Sequence, residues 1–235
     1  MDNLSNLTKL HQILFSENSV FKHLSGEEMS LLPFDNAPLT FKKGTIIYKE
    51  ASRLSGFYWI KSGIIKVFKT GFDGKEQIIR FARTSEIIGF RSVLSHELAC
   101  TTAKVLENTE IFYIPSQVLF HLIKTNGDFA VDLLQLTCKE LEESNSYITD
   151  IAQKNVRERI AEVLILLMNK FSIDNDNILQ INLTREDIAN IVGTATESVI
   201  RLLSEMKHEG LIDLVGRKIK LVNIPQLRKL SGIVN

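Results

Sequence analysis

The stretch from Leu183 to Met206 constrains this chain most, because it leaves the backbone few ways to fold. Thr184 stands three residues before Asp187, a spacing that predicts an N-cap for a first helix. Ile188, Ala189 and Val192 give that helix one apolar face. Gly193 follows where the chain must turn, and glycine accepts the positive φ such a turn often uses. Thr194 and Glu197 repeat the cap spacing, and Val199, Leu202, Leu203 and Met206 form the apolar face of a second helix. Small Ala189, turning Gly193 and apolar Val199 let the two helices cross closely at a steep angle, the helix-turn-helix arrangement. Gly210 to Val222 then reads as a β-hairpin turning at Gly216, a wing.

The second helix turns Thr196, Glu197, Ser198 and Arg201 away from its apolar stripe. Arginine makes a bidentate contact to guanine O6 and N7, and glutamate accepts from cytosine N4. Thr196, Glu197 and Arg201 are therefore candidate base readers of double-stranded DNA. Thr184, Ser198, Arg217 and Lys218 are the candidate phosphate contacts. Simpler uses exist for the same residues. Glu197 and Arg201 at i, i+4 also suit an ordinary helix salt bridge of about 0.3–0.5 kcal/mol, and Glu197 also suits its own cap. From residue 152 onward Lys and Arg number 12 against 10 Asp and Glu, so one head carries little charge and two heads would be the natural remedy.

Upstream, the hydrophobic period changes at Pro115. Before it lie short β-rich runs, GTIIY (44–48), GFYWI (56–60), GIIKVF (63–68), QIIRFA (77–82) and EIFYI (110–114), with a hairpin joined at 71–74. Ser25 and Glu28 have capping-box spacing for a short helix running towards Leu31 and Leu32. After Pro115 the period is helical: a short helix carries Leu119, Leu122 and Ile123, and no Gly or Pro interrupts Asp128 to Ile151. Thr137, Leu141, Ser144, Ile148 and Ile151 fall at heptad steps, flanked by Glu140, Glu142, Glu143 and Asn145. Thr and Ser among the apolar residues suit a partner helix better than a dry core, so a homodimer helix is expected. The predicted fold class is α+β. It comprises an N-terminal antiparallel β-roll with flanking helices (1–127), a dimerisation helix and hinge (128–154), and a C-terminal winged helix-turn-helix domain (155–235).

Composition narrows the class further. Lys plus Arg and Asp plus Glu are both 28, a formal charge of zero, so any nucleic-acid preference must be local. No apolar run approaches the roughly 18 residues of a membrane helix, and MDNLSNLTKL has neither a basic nor an apolar segment, which predicts a cytoplasmic protein with no membrane partner. No nucleophile–base pairing, phosphate loop or metal-ligand spacing is present, so no enzyme is expected.

These parts in this order resemble the Crp/Fnr superfamily of bacterial transcription regulators, from about Phe21 to Val222. Ile60-Lys-Ser-Gly63, Asp73-Gly-Lys-Glu76 and Glu86-Ile-Ile-Gly89 carry the resemblance in the roll. Asn155-Val-Arg-Glu-Arg-Ile160 carries it at the hinge, and the helix-turn-helix completes it. The resemblance implies a homodimer on a palindromic site, RNA polymerase as a further partner, and an unidentified small-molecule effector held in the roll. Glu197 and Arg201 fall on the Glu and Arg that read a G·C pair in half-sites of TGA type. Thr196 and Ile200 fall on neighbouring positions that vary and tune the outer bases, which makes apolar Ile200 a further candidate base reader, facing a thymine methyl group. The implied effector pocket comprises Gly89, Phe90, Arg91, Ser92, Cys100, Thr101 and Thr102, with Ser144 and Asn145 on the long helix reaching the ligand across the dimer. Asn155 is the implied hinge.

Cyclic-nucleotide binders of the family carry a Glu where Phe90 stands and an Arg near Thr101-Thr102. Losing both argues against cyclic AMP. The oxygen-sensing branch carries an N-terminal cysteine cluster, and residues 1–99 hold no cysteine, which argues against an iron–sulfur centre. Haem stays open, with His96 or Cys100 as its axial ligand. Cys138 reads as a packed thiol or a redox switch. The alternative to a DNA-binding regulator is a ligand-binding module whose winged domain contacts protein.

Overall fold

The computed structural model describes Leu14 and residues 19–232; residues 1–13, 15–18 and 233–235 of the domains expected above lie outside the described residues. Two compact units are present: the chain through Gly74 with Ile78–Glu143, and Lys75–Gln77 with Ser144–Asn235.

The first unit is the antiparallel jelly roll. Its strands are β1 (Leu39–Phe41), β2 (Ile46–Tyr48), β3 (Gly56–Ser62), β4 (Ile64–Thr70), β5 (Glu76–Arg83), β6 (Ile87–Ile88), β7 (Thr102–Val105) and β8 (Thr109–Pro115). They form two four-stranded sheets, ordered β1-β8-β3-β6 and β2-β7-β4-β5. Apolar residues set the register: Trp59 pairs with Phe112 and Ile60 with Ile111 on β3–β8, and Val67 pairs with Ala103 on β4–β7. The expected β4–β5 hairpin is closed by the Gly74 N–H donating to the Gly71 carbonyl at 3.0 Å. The two-residue β6 and short β7 were not anticipated.

Helix α1 (Gly26–Met29) carries the expected Ser25–Glu28 capping box but ends short of Leu31, and a 3₁₀ turn follows at Pro33–Asp35. Helices α2 (Phe90–Ser95) and α3 (Ser116–Thr125) lead to the long α4 (Gly127–Gln153). Phe129, in the first turns of α4, lies parallel to Phe21 with ring centroids 6.1 Å apart. Phe21 meets Phe34 edge-on, and Phe34 meets both Trp59 and Phe112 at 5.1 Å. This aromatic cluster ties the helices to the β1-β8-β3-β6 sheet.

Gly63 shows how tightly β3 and β4 are joined. Its φ is +100°, and a Cβ there would meet the Thr109 hydroxyl and lie 2.7 Å from the Asn108 carbonyl oxygen. Gly63→Ala is expected to cost at least about 1–3 kcal/mol from backbone strain alone, read as a lower urea midpoint. An unchanged midpoint would refute this account of the turn.

The second unit holds α5 (Val156–Phe171), α6 (Arg185–Val192), α7 (Thr196–His208), the hairpin β9 (Ile212–Val215) and β10 (Lys218–Leu221), and α8 (Ile224–Ser231). Asn155 caps α5 in a capping box with Glu158, which stops the chain from running straight on from α4. Ile160, Ala161, Leu164 and Ile165 are buried on α5, which packs on α8. Helix α8 was not anticipated, although Asn223 capping Gln226 and Pro225 in the first turn are start signals. No helix of the described residues is long and apolar enough to cross a membrane.

Candidate nucleic-acid interface and the pocket of the roll

Local chemistry fixes the crossing of α6 and α7. Thr184 caps α6, its hydroxyl accepting from the Asp187 N–H at 3.0 Å and donating to the Asp187 carboxylate at 2.7 Å. Gly193 takes φ +72° at the C-cap of α6. The cap expected at Thr194 is not used: the N-cap of α7 is Ala195, which offers no side-chain oxygen. Val199, Leu203 and Met206 are fully buried, and Ile188, Ala189 and Val192 close the same core from α6.

That burial leaves Glu197, Ile200 and Arg201 exposed on the outer face of α7, with Thr196 and Ser198 half-buried beside them. Arg201 is held by Glu205, Nη1 to Oε1 at 2.7 Å, rather than by Glu197. A pair one turn towards the C-terminus leaves the Glu197 carboxylate outside the Arg201 contact and steadies the guanidinium on the outer face. On the wing, Arg217 and Lys218 are exposed at the turn. The half-buried Arg185 donates to the Arg217 carbonyl at 3.4 Å, and burial lowers the Arg185 pKa.

The hinge motif has physical roles within this unit. Arg157 on α5 makes a two-pronged pair with Glu209 just after α7, one prong at 2.7 Å. This contact holds the Glu209 carboxyl below the usual carboxylate range and raises Arg157. Arg159 donates to the Val192 carbonyl at 3.0 Å, satisfying the end of α6. Both arginines therefore fasten the helix-turn-helix to α5, a role that sequence reasoning did not assign.

In the roll, Gly89, Phe90, Arg91, Ser92, Cys100 and Thr101 come together around one pocket, joined by Tyr48, Val67 and Arg80. Thr102 is buried with its hydroxyl accepting from the Glu50 N–H at 3.0 Å and does not line the pocket. Phe90 is turned into the aromatic core. Burial raises the Tyr48 phenol, while Thr101 opposes the shift by hydrogen bonding, so Tyr48 stays protonated. The main departure from expectation is Glu140. Read from sequence as one of the acidic or polar residues flanking the seam, it is only 7% exposed and contacts Arg80 and Arg91, each at 3.1 Å.

The pocket's space is about 20 Å³, little more than room for a water molecule. The His96 ring lies flat on Phe120, centroids 5.2 Å apart. Neither observation fits a haem ligated by His96 or Cys100. The two cysteines, both exposed, supply half the thiolates that a four-cysteine iron–sulfur cluster requires. In the single chain Cys138 is exposed on α4, beside the seam position Thr137. Among the described residues no three His, Cys, Asp or Glu side chains gather as a metal set.

On α4 the seam residues Leu141, Ile148 and Ile151 are exposed, with Thr137 and Ser144 half-buried. Leu134 and Val131 extend the exposed apolar stripe by another turn, which places Leu134, Leu141 and Ile148 at seven-residue intervals.

Comparison with known proteins agrees with this arrangement. Residues 38–126 match the cyclic nucleotide-binding domain, and residues 158–230 match the Crp-like helix-turn-helix domain. The chain is 30% identical over 195 residues to electron transport regulator A of Shewanella oneidensis, covering 81% of this chain and 77% of that protein. It is 28% identical over 193 residues to the transcriptional activator protein FnrA of Stutzerimonas stutzeri, covering 81% and 79% respectively. The structure of FixK2 from Bradyrhizobium japonicum superposes with a TM-score of 0.74 at 22% identity, covering 84% of this chain and 98% of that one.

Proposed function

We propose that this chain, which belongs to the Crp/Fnr family of transcription regulators, works as a homodimer on a palindromic operator, with α7 of each copy in successive major grooves. The observation that carries the reading is the outer face of α7. Glu197, Ile200 and Arg201 are exposed there on a helix fixed through Gly193, Arg157 and Arg159. Arg201 reads guanine, Glu197 accepts from the cytosine of the same pair or its neighbour, and Ile200 offers an apolar surface to a thymine methyl group. Half-sites of TGA type suit this set. Thr196 tunes an outer base. Thr184, Ser198, Arg217 and Lys218 position the head on phosphates, with RNA polymerase as the further partner. The exposed stripe from Leu134 to Ile151 supports pairing of α4 with a second copy. The roll is the part through which a signal would act.

Arg201→Ala tests the reading. The base-reading role predicts loss of about 1–3 kcal/mol of discrimination at one position of each half-site, with fold and phosphate-driven affinity retained. Competition binding with duplexes altered one base pair at a time reads this directly. Equal discrimination by variant and wild type would reduce Arg201 to the partner of Glu205.

A further inference from the structure

Two arginines line the roll's pocket from different elements, Arg80 on β5 and Arg91 on α2. Cations converging on one buried space form an anion site unless something else neutralises them. Here Glu140 does so. Its Oε1 lies 3.1 Å from Arg80 Nη2, and its Oε2 lies 3.1 Å from Arg91 Nε. Arg80 is engaged further: Nη1 donates to Glu86 at 3.1 Å and Nη2 to the Ile87 carbonyl at 2.8 Å.

Arg83 also reaches Glu86, Nε to Oε1 at 3.7 Å, so the cluster sets three guanidiniums against two carboxylates beside a space that holds little more than water, and Glu140 is the carboxylate shared by the two arginines that line it. Glu140 reaches this position because it prolongs the inward stripe of α4. Phe129, Leu133 and Leu136 precede it at helical steps and pack into the roll's core, and the next inward position is a carboxylate instead of another leucine.

We infer that Glu140, which does not itself line the pocket, is a built-in counter-ion to the two arginines that do, supplying from the chain's own long helix the anion they would otherwise take from solution. The wild-type pocket therefore takes no small anion. Removing the Glu140 carboxylate converts the same residues into a binding site for a phosphate-class dianion, clasped by Arg80 and Arg91 with Tyr48 and Thr101 at hand as hydroxyl donors. The geometry belongs to the roll alone, so the inference does not depend on the DNA reading.

The test is calorimetric titration of the full chain with inorganic phosphate in low-chloride buffer, without DNA. Wild type is expected to show no saturable binding. Glu140→Ala is expected to gain a single site, with affinity tighter by about tenfold or more, because one close opposing charge has gone. Glu140→Ser also clears the carboxylate and its volume while keeping a small polar group, so it should gain the same site even if the alanine variant folds poorly. Adding Arg91→Ala to either variant should abolish the gain. The inference is overturned if wild type binds phosphate as tightly as the Glu140 variants, or if neither a folded Glu140→Ala nor a folded Glu140→Ser protein binds any. It is equally overturned if the gained site survives loss of Arg91.

Discussion

Placing glutamate at both Leu141 and Ile148 is expected to leave the protein folded, monomeric and about three orders of magnitude weaker on its operator. The two side chains are 61% and 65% exposed in the single chain, so neither contributes to its core. Exposed substitutions of this kind generally shift fold stability by no more than about 0.5 kcal/mol. In a two-fold dimer each position is buried twice, and each apolar side chain contributes about 1.5–3 kcal/mol. Four carboxylates in that seam would remove this contribution and repel one another. A single head with a charge balance near neutral then has only non-specific affinity, and the gap between non-specific and specific binding is commonly a thousandfold or more. Sedimentation equilibrium with operator titration reads both effects. A variant that sediments as a dimer would place the interface elsewhere.

Phe129→Ala is expected to destabilise the roll by about 3–5 kcal/mol, the usual cost of emptying a large buried aromatic site. Phe129 is fully buried, stacks on Phe21, and has its backbone N–H bonded to the Asn126 side chain at 2.9 Å. The ring stacked on it, Phe21, is itself held edge-on by Phe34, which packs on Trp59 of β3 and Phe112 of β8, so little relaxation is available. Chemical denaturation should show the loss as a lower midpoint at unchanged slope. A cost below about 1 kcal/mol would mean that the aromatic cluster does not anchor α4.

The parts that could be read from the sequence are those whose logic is local. The turn at Gly193 needs a positive φ, the Thr184 cap needs Asp187 three residues on, and the β4–β5 hairpin needs Gly74. Each is written within a few residues, and each is present. The exposed stripe of α4 was legible for the same reason, because heptad steps survive without knowledge of the partner. Misreadings arose where the partner is distant or where two local choices compete. Glu140 reads as one acid among several flanking the seam, since nothing nearby in sequence announces Arg80 or Arg91. The inward continuation of Phe129, Leu133 and Leu136 was the available clue. Arg201 had Glu197 and Glu205 at equal spacing, and the choice of Glu205 depends on side-chain placement that spacing leaves open. Arg157 and Arg159 were recognised only as family residues, because their partners Glu209 and Val192 lie 52 and 33 positions away.

The central claim is sequence-specific recognition of duplex DNA through α7. Selection from a random duplex pool by the purified full chain, followed by titration of the winning sequence across salt concentrations, tests it most directly. The account predicts an inverted repeat with two TGA-type half-sites, their centres about one helical turn of 10–10.5 base pairs apart. It also predicts an affinity that falls steeply with salt as phosphate contacts release counterions. A pool that stays random after repeated rounds, with no salt-dependent binding, would contradict the account and leave the winged unit as a protein-contact module.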